Sequence, residues 1–310
     1  MSLGKGTHYK GPLLGRDDAA GGAFEDVSLA YADRMRSPYH CFYEDFVGLA
    51  SGVTTDLEGA GWTETAVGTA ASRTWAYSSQ IGALIINADT VAAEGTSAQF
   101  NAASAATLTS HQHMLLPAIT STTTLMSNRE LIWATRIGFL VGNGITYDSA
   151  ALLGWFVTDT ALMTPSTGAL AIASGGGIGF HINGVAGTGD RSIGAVVQGT
   201  TVATEISTGV VLGVTASFFI TYYDLAFRAR WIDSTVGTGV VDFFVNGKRR
   251  VSVSGATVAL PMQSTQTYSN TIELINGAAT ADQVDMGVEH IFNAITRPGL
   301  LYPYSTGMYI

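Results

Sequence analysis

Charge is scarce in this sequence. Only 13% of its 310 residues are Asp, Glu, Lys or Arg, against about a quarter in ordinary soluble domains. Lysine is nearly absent, with Lys5, Lys10 and Lys248 the whole complement. At a net charge of −9 the chain lacks the clustered cations that phosphate binding requires, which argues against a nucleic-acid partner. A single cysteine, Cys41, excludes an internal disulfide and a multi-cysteine zinc site. The N-terminus carries no apolar h-region, and no run of about eighteen uncharged apolar residues occurs. Neither a signal peptide nor a membrane span is expected. No repeat of fixed period is visible, which sets propellers and solenoids aside.

Glycine (37 residues), Ala, Thr and Ser fill the space that charge leaves. A polar but weakly charged surface suits a protein packed against other protein, and equally a secreted Gly/Thr-rich β-protein. The clearest local signal lies between Phe227 and Ser254. Two apolar runs, Phe227 to Ile232 and Val240 to Val245, lead into Asn246-Gly247 and then a basic, alternating segment. Asn-Gly between alternating runs predicts a two-residue hairpin, because both central residues of a type I′ turn need positive φ. Further strands are predicted at His40 to Gly48, Ala83 to Asn87, Met114 to Ala118, Glu130 to Leu140, Leu152 to Thr158, Gly177 to Ile182, Ser192 to Gln198, Phe218 to Tyr223, Thr271 to Ile275 and Gln283 to Asn293. Asp89 to Ala106 reads as a connector. Many short strands between Gly-rich turns, with hardly any helical period, predict an all-β antiparallel sandwich.

Three regions follow from this texture. Residues 1–38 form an extended N-terminal arm in which five basic residues balance five acidic ones, with a short helix possible around Asp26 to Arg34. Residues 39–297 form the sandwich. Residues 298–310 (PGLLYPYSTGMYI) are too apolar for a free tail and suit a docked segment.

The order of motifs carries a resemblance. EDF near the start, Trp62, RELIWATRIGF, LLGWFVTD, FRARWID followed by VVDFFVNGK, and the closing ADQVDMGVEHIF together resemble the concanavalin A-like lectin/glucanase jelly roll. The likeness runs from about Tyr39 to Asn293. THYKGPLLG near the N-terminus is similar to the opening of structural proteins of tailed phages, where it precedes the same kind of domain.

Glucanases of this fold resemble one another in a Glu-x-Asp-x-x-Glu strand, whose alternation sets the carboxylates on one face. No such spacing occurs here. The nearest cluster, Asp282, Asp285 and Glu289, reads as turn and strand residues rather than a catalytic set, so no catalytic residue is assigned and the chain is not expected to be an enzyme. His111 and His113 share a strand face, but two ligands do not hold a metal. No metal or cofactor is expected. His181 and His290, isolated on apolar strands, read as hydrogen-bonded structural residues. Ser174 to Gly179 precedes a strand rather than a helix, so it is a turn and not a phosphate cradle. Most tryptophans fall in core patterns, with Trp133 and Trp155 kept as candidates for stacking on a glycan.

Lys248, Arg249 and Arg250 form the single basic triplet. A charged edge that discourages strand pairing is one reading of it, and an electrostatic contact with an acidic neighbour is the other. Together with Lys5, Tyr9, Lys10 and Arg16 of the arm they are the candidate capsid contacts. Tyr302, Tyr304 and Tyr309 are the candidate oligomer contacts.

The resemblance implies a non-enzymatic virion protein. In that reading it is a capsid decoration (cement) protein that binds the major capsid protein, as a homotrimer at the capsid surface. A carbohydrate-binding tail or receptor-binding protein is the alternative, and a degenerate glycoside hydrolase the third.

Overall fold

The computed structural model describes residues 39–46, 62–67, 73–78, 83–88, 105–110, 130–140, 150–157, 162–164, 168–172, 176–184, 191–199, 204–212, 221–233, 238–254, 268–275 and 284–296. The arm, the C-terminal segment, the predicted strand at Met114 to Ala118 and the helix at Asp26 to Arg34 lie outside them.

Among the described residues there is no helix, and fifteen strands build two antiparallel sheets. The first sheet contains β1 (Tyr39–Glu44), β3 (Arg73–Ser78), β4 (Ala83–Ala88), β6 (Glu130–Leu140), β11 (Thr221–Asp233), β12 (Thr238–Val245), β13 (Lys248–Ser254) and β15 (Val284–Thr296). Its order is β13-β12-β11-β6-β15-β4-β3, with β1 alongside β15. The second sheet contains β2 (Trp62–Val67), β5 (Ala105–Ser110), β7 (Ala150–Val157), β8 (Gly177–Gly184), β9 (Arg191–Gln198), β10 (Thr204–Leu212) and β14 (Tyr268–Ile275). Its order is β10-β9-β8-β7-β14-β5-β2.

The hairpin forms where the sequence predicts it. Asn246 (φ 51) and Gly247 (φ 74) both take positive φ, and β13 folds back on β12 from Val245↔Lys248 onward. Two expectations change. Phe218 to Tyr223 and Phe227 to Ile232 belong to one strand, β11, which starts at Thr221 and runs unbroken along β6 from Thr221↔Phe139 to Arg230↔Glu130. Two of the charged residues inside it, Asp224 and Arg228, sit on the face away from the core, where Arg136 and Glu130 pair with them. The connector at Asp89 to Ala106 runs into β5, which begins at Ala105.

Aromatic rings join the sheets across the interior. Trp133 of β6 meets Phe180 of β8 at 6.3 Å and stacks on Phe227 of β11 at 5.5 Å. Phe180 packs edge-on against Phe243 of β12 at 5.4 Å. Alternation puts Leu131, Trp133, Ile137, Leu153, Phe180, Ile182, Phe227 and Phe243 in this one core. One polar device lies within it: Trp133 Nε1 and Asn293 Nδ2 both donate to Asn270 Oδ1.

The second sheet departs from a half-exposed pattern. β7 and β14 are buried along their whole length, which is why LLGWFV reads as a continuous apolar run rather than an alternation. Their outer faces are covered by the chain itself. Residues 162–164 and 168–172 fold into a bridged turn, Met163 opposite Leu170, closed by bonds from Gly168 N to Thr164 O and from Ala171 N to Leu162 O. We call this turn the strap.

Candidate functional site

Three surfaces of the sandwich carry chemistry. The first is the outer face of the second sheet beneath the strap. His181 and Glu273 lie in one row across it, both opposite Leu152. The Glu273 carboxylate, fully buried, accepts from Leu162 N at 3.0 Å and Met163 N at 3.4 Å. His181 spans Gly168 O (2.9 Å from Nε2) and Glu205 Oε1 (3.0 Å from Nδ1). Gln198 Nε2 donates to Ile172 O. Every one of these side chains grips strap backbone or the group beside it, so the polar groups of this face are engaged internally. Its floor is glycine. A Cβ at Gly177 or Gly179 would run into the Phe156 ring and into the backbone of β7, so the ring lies flat where side chains are missing. Gly177 to Gly179, where the expected turn and the expected strand overlap, is strand.

The second surface is the outer face of the first sheet. Arg136 binds Asp224 through two nitrogens, Nε at 2.6 Å and Nη2 at 3.3 Å, and reaches Glu289 Oε2 through Nη1 at 3.2 Å. Burial by itself lowers the Arg136 pKa, and the two carboxylates outweigh it, so the net shift is upward. A bulge between Val288 and His290 sets Glu289 and His290 together beside Arg136. His290 is held below its ordinary pKa of 6.5, first by burial and also by Arg136, against the pull of Glu289, Asp224 and Asp45. Tyr222 is raised, by burial and then by Glu289. Tyr43 stacks on His290 at 5.9 Å and is 44% exposed. Toward β13 the lattice continues with Glu130–Arg228 and with Asp242, which accepts from Ser252 Oγ at 2.7 Å and faces Arg230 and Arg249.

The third surface is the edge formed by β13. Lys248, Arg249, Arg250, Ser252 and Ser254 are exposed, while Val251 and Val253 point into the core. Arg249 leans toward Asp242 at 3.6 Å with its side chain half exposed, a geometry that contributes little. The edge strand of the second sheet, β10, runs next to β13 and exposes Val211.

These placements correct one group of expectations and leave others open. Trp133 and Trp155 cannot stack on a glycan: both are fully buried, packed on Phe227 and Tyr268 respectively. His181 is a hydrogen-bonded structural residue, as expected. Glu289 is an ion-pair partner of Arg136, and the side chains of Asp282 and Asp285 lie outside the described residues. So do Lys5, Tyr9, Lys10, Arg16, Tyr302, Tyr304, Tyr309, His111 and His113. Among the described residues no group of three His, Cys, Asp or Glu is placed to hold a metal ion. Sequence reasoning missed the Arg136–Asp224–Glu289–His290 cluster. Its members come from three strands, and only the outward parity of Arg136 on β6 hinted at it.

No family model matches the chain, and no curated protein does. Solved structures do. The alginate lyase Aly36B is similar over 82% of this chain and 96% of its own, with a TM-score of 0.49 and 9% identity. An endo-1,3-beta-glucanase from Streptomyces sioyaensis matches 84% of this chain and 98% of its own (TM-score 0.47, 13% identity). SO2946 from Shewanella oneidensis MR-1, a protein of unknown function, matches 83% and 86% (TM-score 0.44, 14% identity). The fold is an all-β, antiparallel jelly-roll sandwich. Polysaccharide-degrading enzymes stand on this architecture, which corrects the expectation that the chain is not an enzyme. A missing Glu-x-Asp-x-x-Glu strand excludes one hydrolytic arrangement, and a fold does not dictate the chemistry mounted on it. These similarities bear on the fold and not on the virion reading.

Proposed function

We propose that the chain is a structural protein of a tailed-phage particle, a decoration protein that binds the assembled capsid shell. One observation carries the reading: Lys248, Arg249 and Arg250 stand exposed on the outermost strand of the first sheet, in a chain whose net charge is −9. A local basic edge on an acidic body gives an oriented contact with an acidic partner, because the rest of the surface repels it. Its mechanism is mass action. A protein that binds the closed shell and not its free subunits stabilises the shell by the free energy of binding, and many weak contacts on one lattice add. In this reading Lys5, Tyr9, Lys10 and Arg16 of the arm extend the contact over neighbouring subunits, and Tyr302, Tyr304 and Tyr309 join copies into a trimer. The test is to image particles and count bound copies. Many copies spread over the shell support the reading; a few confined to the tail overturn it.

Glycan binding is the second reading, and Tyr43 favours it. An exposed ring stacked on His290, with Arg136 and Glu289 alongside, offers an apolar platform beside hydrogen-bonding groups, as sugar rings require. A glycan array read with the parent chain and with Tyr43→Ala tests it: specific signals that vanish in the variant support it, and a blank array removes it.

A further inference from the structure

We propose that His181 is a proton-operated latch: as an imidazolium it fastens the strap to the second sheet, and loss of its proton releases the strap from the outer face of β7.

Both nitrogens of the buried ring face oxygen. Nε2 lies 2.9 Å from the Gly168 carbonyl and Nδ1 lies 3.0 Å from Glu205 Oε1. A main-chain carbonyl only accepts, and so does a carboxylate. An imidazolium donates to both at once. A neutral ring has one N–H and turns a bare lone pair toward one of the two oxygens. Closing the strap therefore takes up a proton wherever a free imidazole is neutral, so acid closes it and rising pH opens it.

The local packing is built around these contacts. Gly194 lies opposite His181 on β9, and the Glu205 side chain, coming from β10, occupies the place a Cβ at Gly194 would take. Only with glycine there does the carboxylate reach across to the ring. On the strap, Gly168 at φ 66 comes down on β7, where a Cβ would collide with that of Ala150. Glu273 holds Leu162 N and Met163 N, and Gln198 holds Ile172 O. His181 is the anchor built on an imidazole, whose charge changes between about pH 5 and about pH 8.

The other charges nearby do not take the place of the proton. Glu273, across Leu152 in the same row, adds a second carboxylate to this face. Arg191 of β9 lies over the Phe139 ring of the first sheet, on the core side. Tyr268 of β14 stacks on Trp155 within the core. The described residues of β7 and of the strap include no titratable side chain.

The experiment follows hydrogen exchange of the full chain at about pH 5 and about pH 8, read as protection factors so that the intrinsic pH dependence of exchange drops out. Protection of residues 162–164 and 168–172 is expected to fall about tenfold or more at the higher pH, with no fall in β6 or β11. Glu205→Gln discriminates most sharply. Its amide can donate to a bare Nδ1, so a neutral ring then keeps both contacts and the strap stays protected at both pH values. His181→Gln is expected to remove the dependence. Nitrogen NMR of the parent at about pH 5 should find hydrogen on both nitrogens of this ring. Equal strap protection at the two pH values overturns the latch. So does a variant, Glu205→Gln or His181→Gln, that opens as the parent does, or a ring carrying a single hydrogen while the strap is closed.

Discussion

The indole nitrogen of Trp133 donates to the side-chain oxygen of Asn270 at 3.2 Å, a bond that crosses from one sheet to the other inside an apolar core. Asn293, on β15, donates to the same oxygen. Two donors converge on one acceptor, so the acceptor is the group the link depends on. Asn270→Leu leaves both donors buried without it, at a cost of about 1–3 kcal/mol for each. Urea denaturation should show a clear drop in midpoint at constant slope. An unmoved midpoint would mean that the bond across the sheets contributes nothing.

Glycine identity on the second sheet should matter in a graded way. At Gly179 an added Cβ meets the Leu153 carbonyl and the Phe156 ring, while at Gly194 it meets only the Glu205 side chain. Backbone cannot give way; the end of a flexible side chain can. Gly179→Ala is expected to cost about 1–3 kcal/mol as overpacking, and Gly194→Ala less. Thermal melts of the two variants side by side check the order, and the reverse order would contradict the packing described.

The strap should open when its anchor is cut. Glu273→Ala takes the acceptor from Leu162 N and Met163 N, two buried donors worth about 1–3 kcal/mol each when left unpaired. Hydrogen exchange is expected to rise in residues 162–164 and 168–172 well before it rises in β6 or β11. Uniform loss of protection would show that the strap and sandwich unfold as one unit.

His290 predicts a pH dependence with a definite sign. Its pKa in the folded chain lies below the ordinary 6.5, so between the two values the unfolded chain binds more protons. Stability therefore rises with pH through this window and is lost as pH falls from 6.5 toward the folded value. Melting temperatures across mildly acidic pH should drop for the parent chain and drop less for His290→Gln. Parallel profiles would assign the dependence to other groups.

Legibility followed locality. The Asn246-Gly247 turn was readable because its requirement, positive φ twice in succession, is met within two residues. β6 was readable end to end because Glu130 to Leu140 is a long apolar run bounded by polar residues, and from Glu130 to Phe139 every residue but Arg136 is buried. β11 was split in two because the carboxylate of Asp224, which falls between the two expected runs, looks like an interruption when its partner on another strand is not in view. β10 escaped notice since its first half is mostly polar and Gly209, at φ 69, lies where its register shifts. The strap and its anchors were out of reach. Glu273 and Leu162 are 111 positions apart, and His181 and Glu205 are 24, distances at which nothing in the chain announces a contact.

Asn246 has one more part to play. Its main-chain N–H donates to the Asp224 carbonyl at 2.8 Å and its side-chain oxygen accepts from Asp224 N at 2.9 Å, while the Asp224 carboxylate grips Arg136 on β6. The tip of the edge hairpin is thus riveted to the strand in front of it, and that strand to the middle of the sheet. The hairpin tip therefore has a hold on the sheet beyond its own ladder, and the side-chain half of that hold ends with one asparagine.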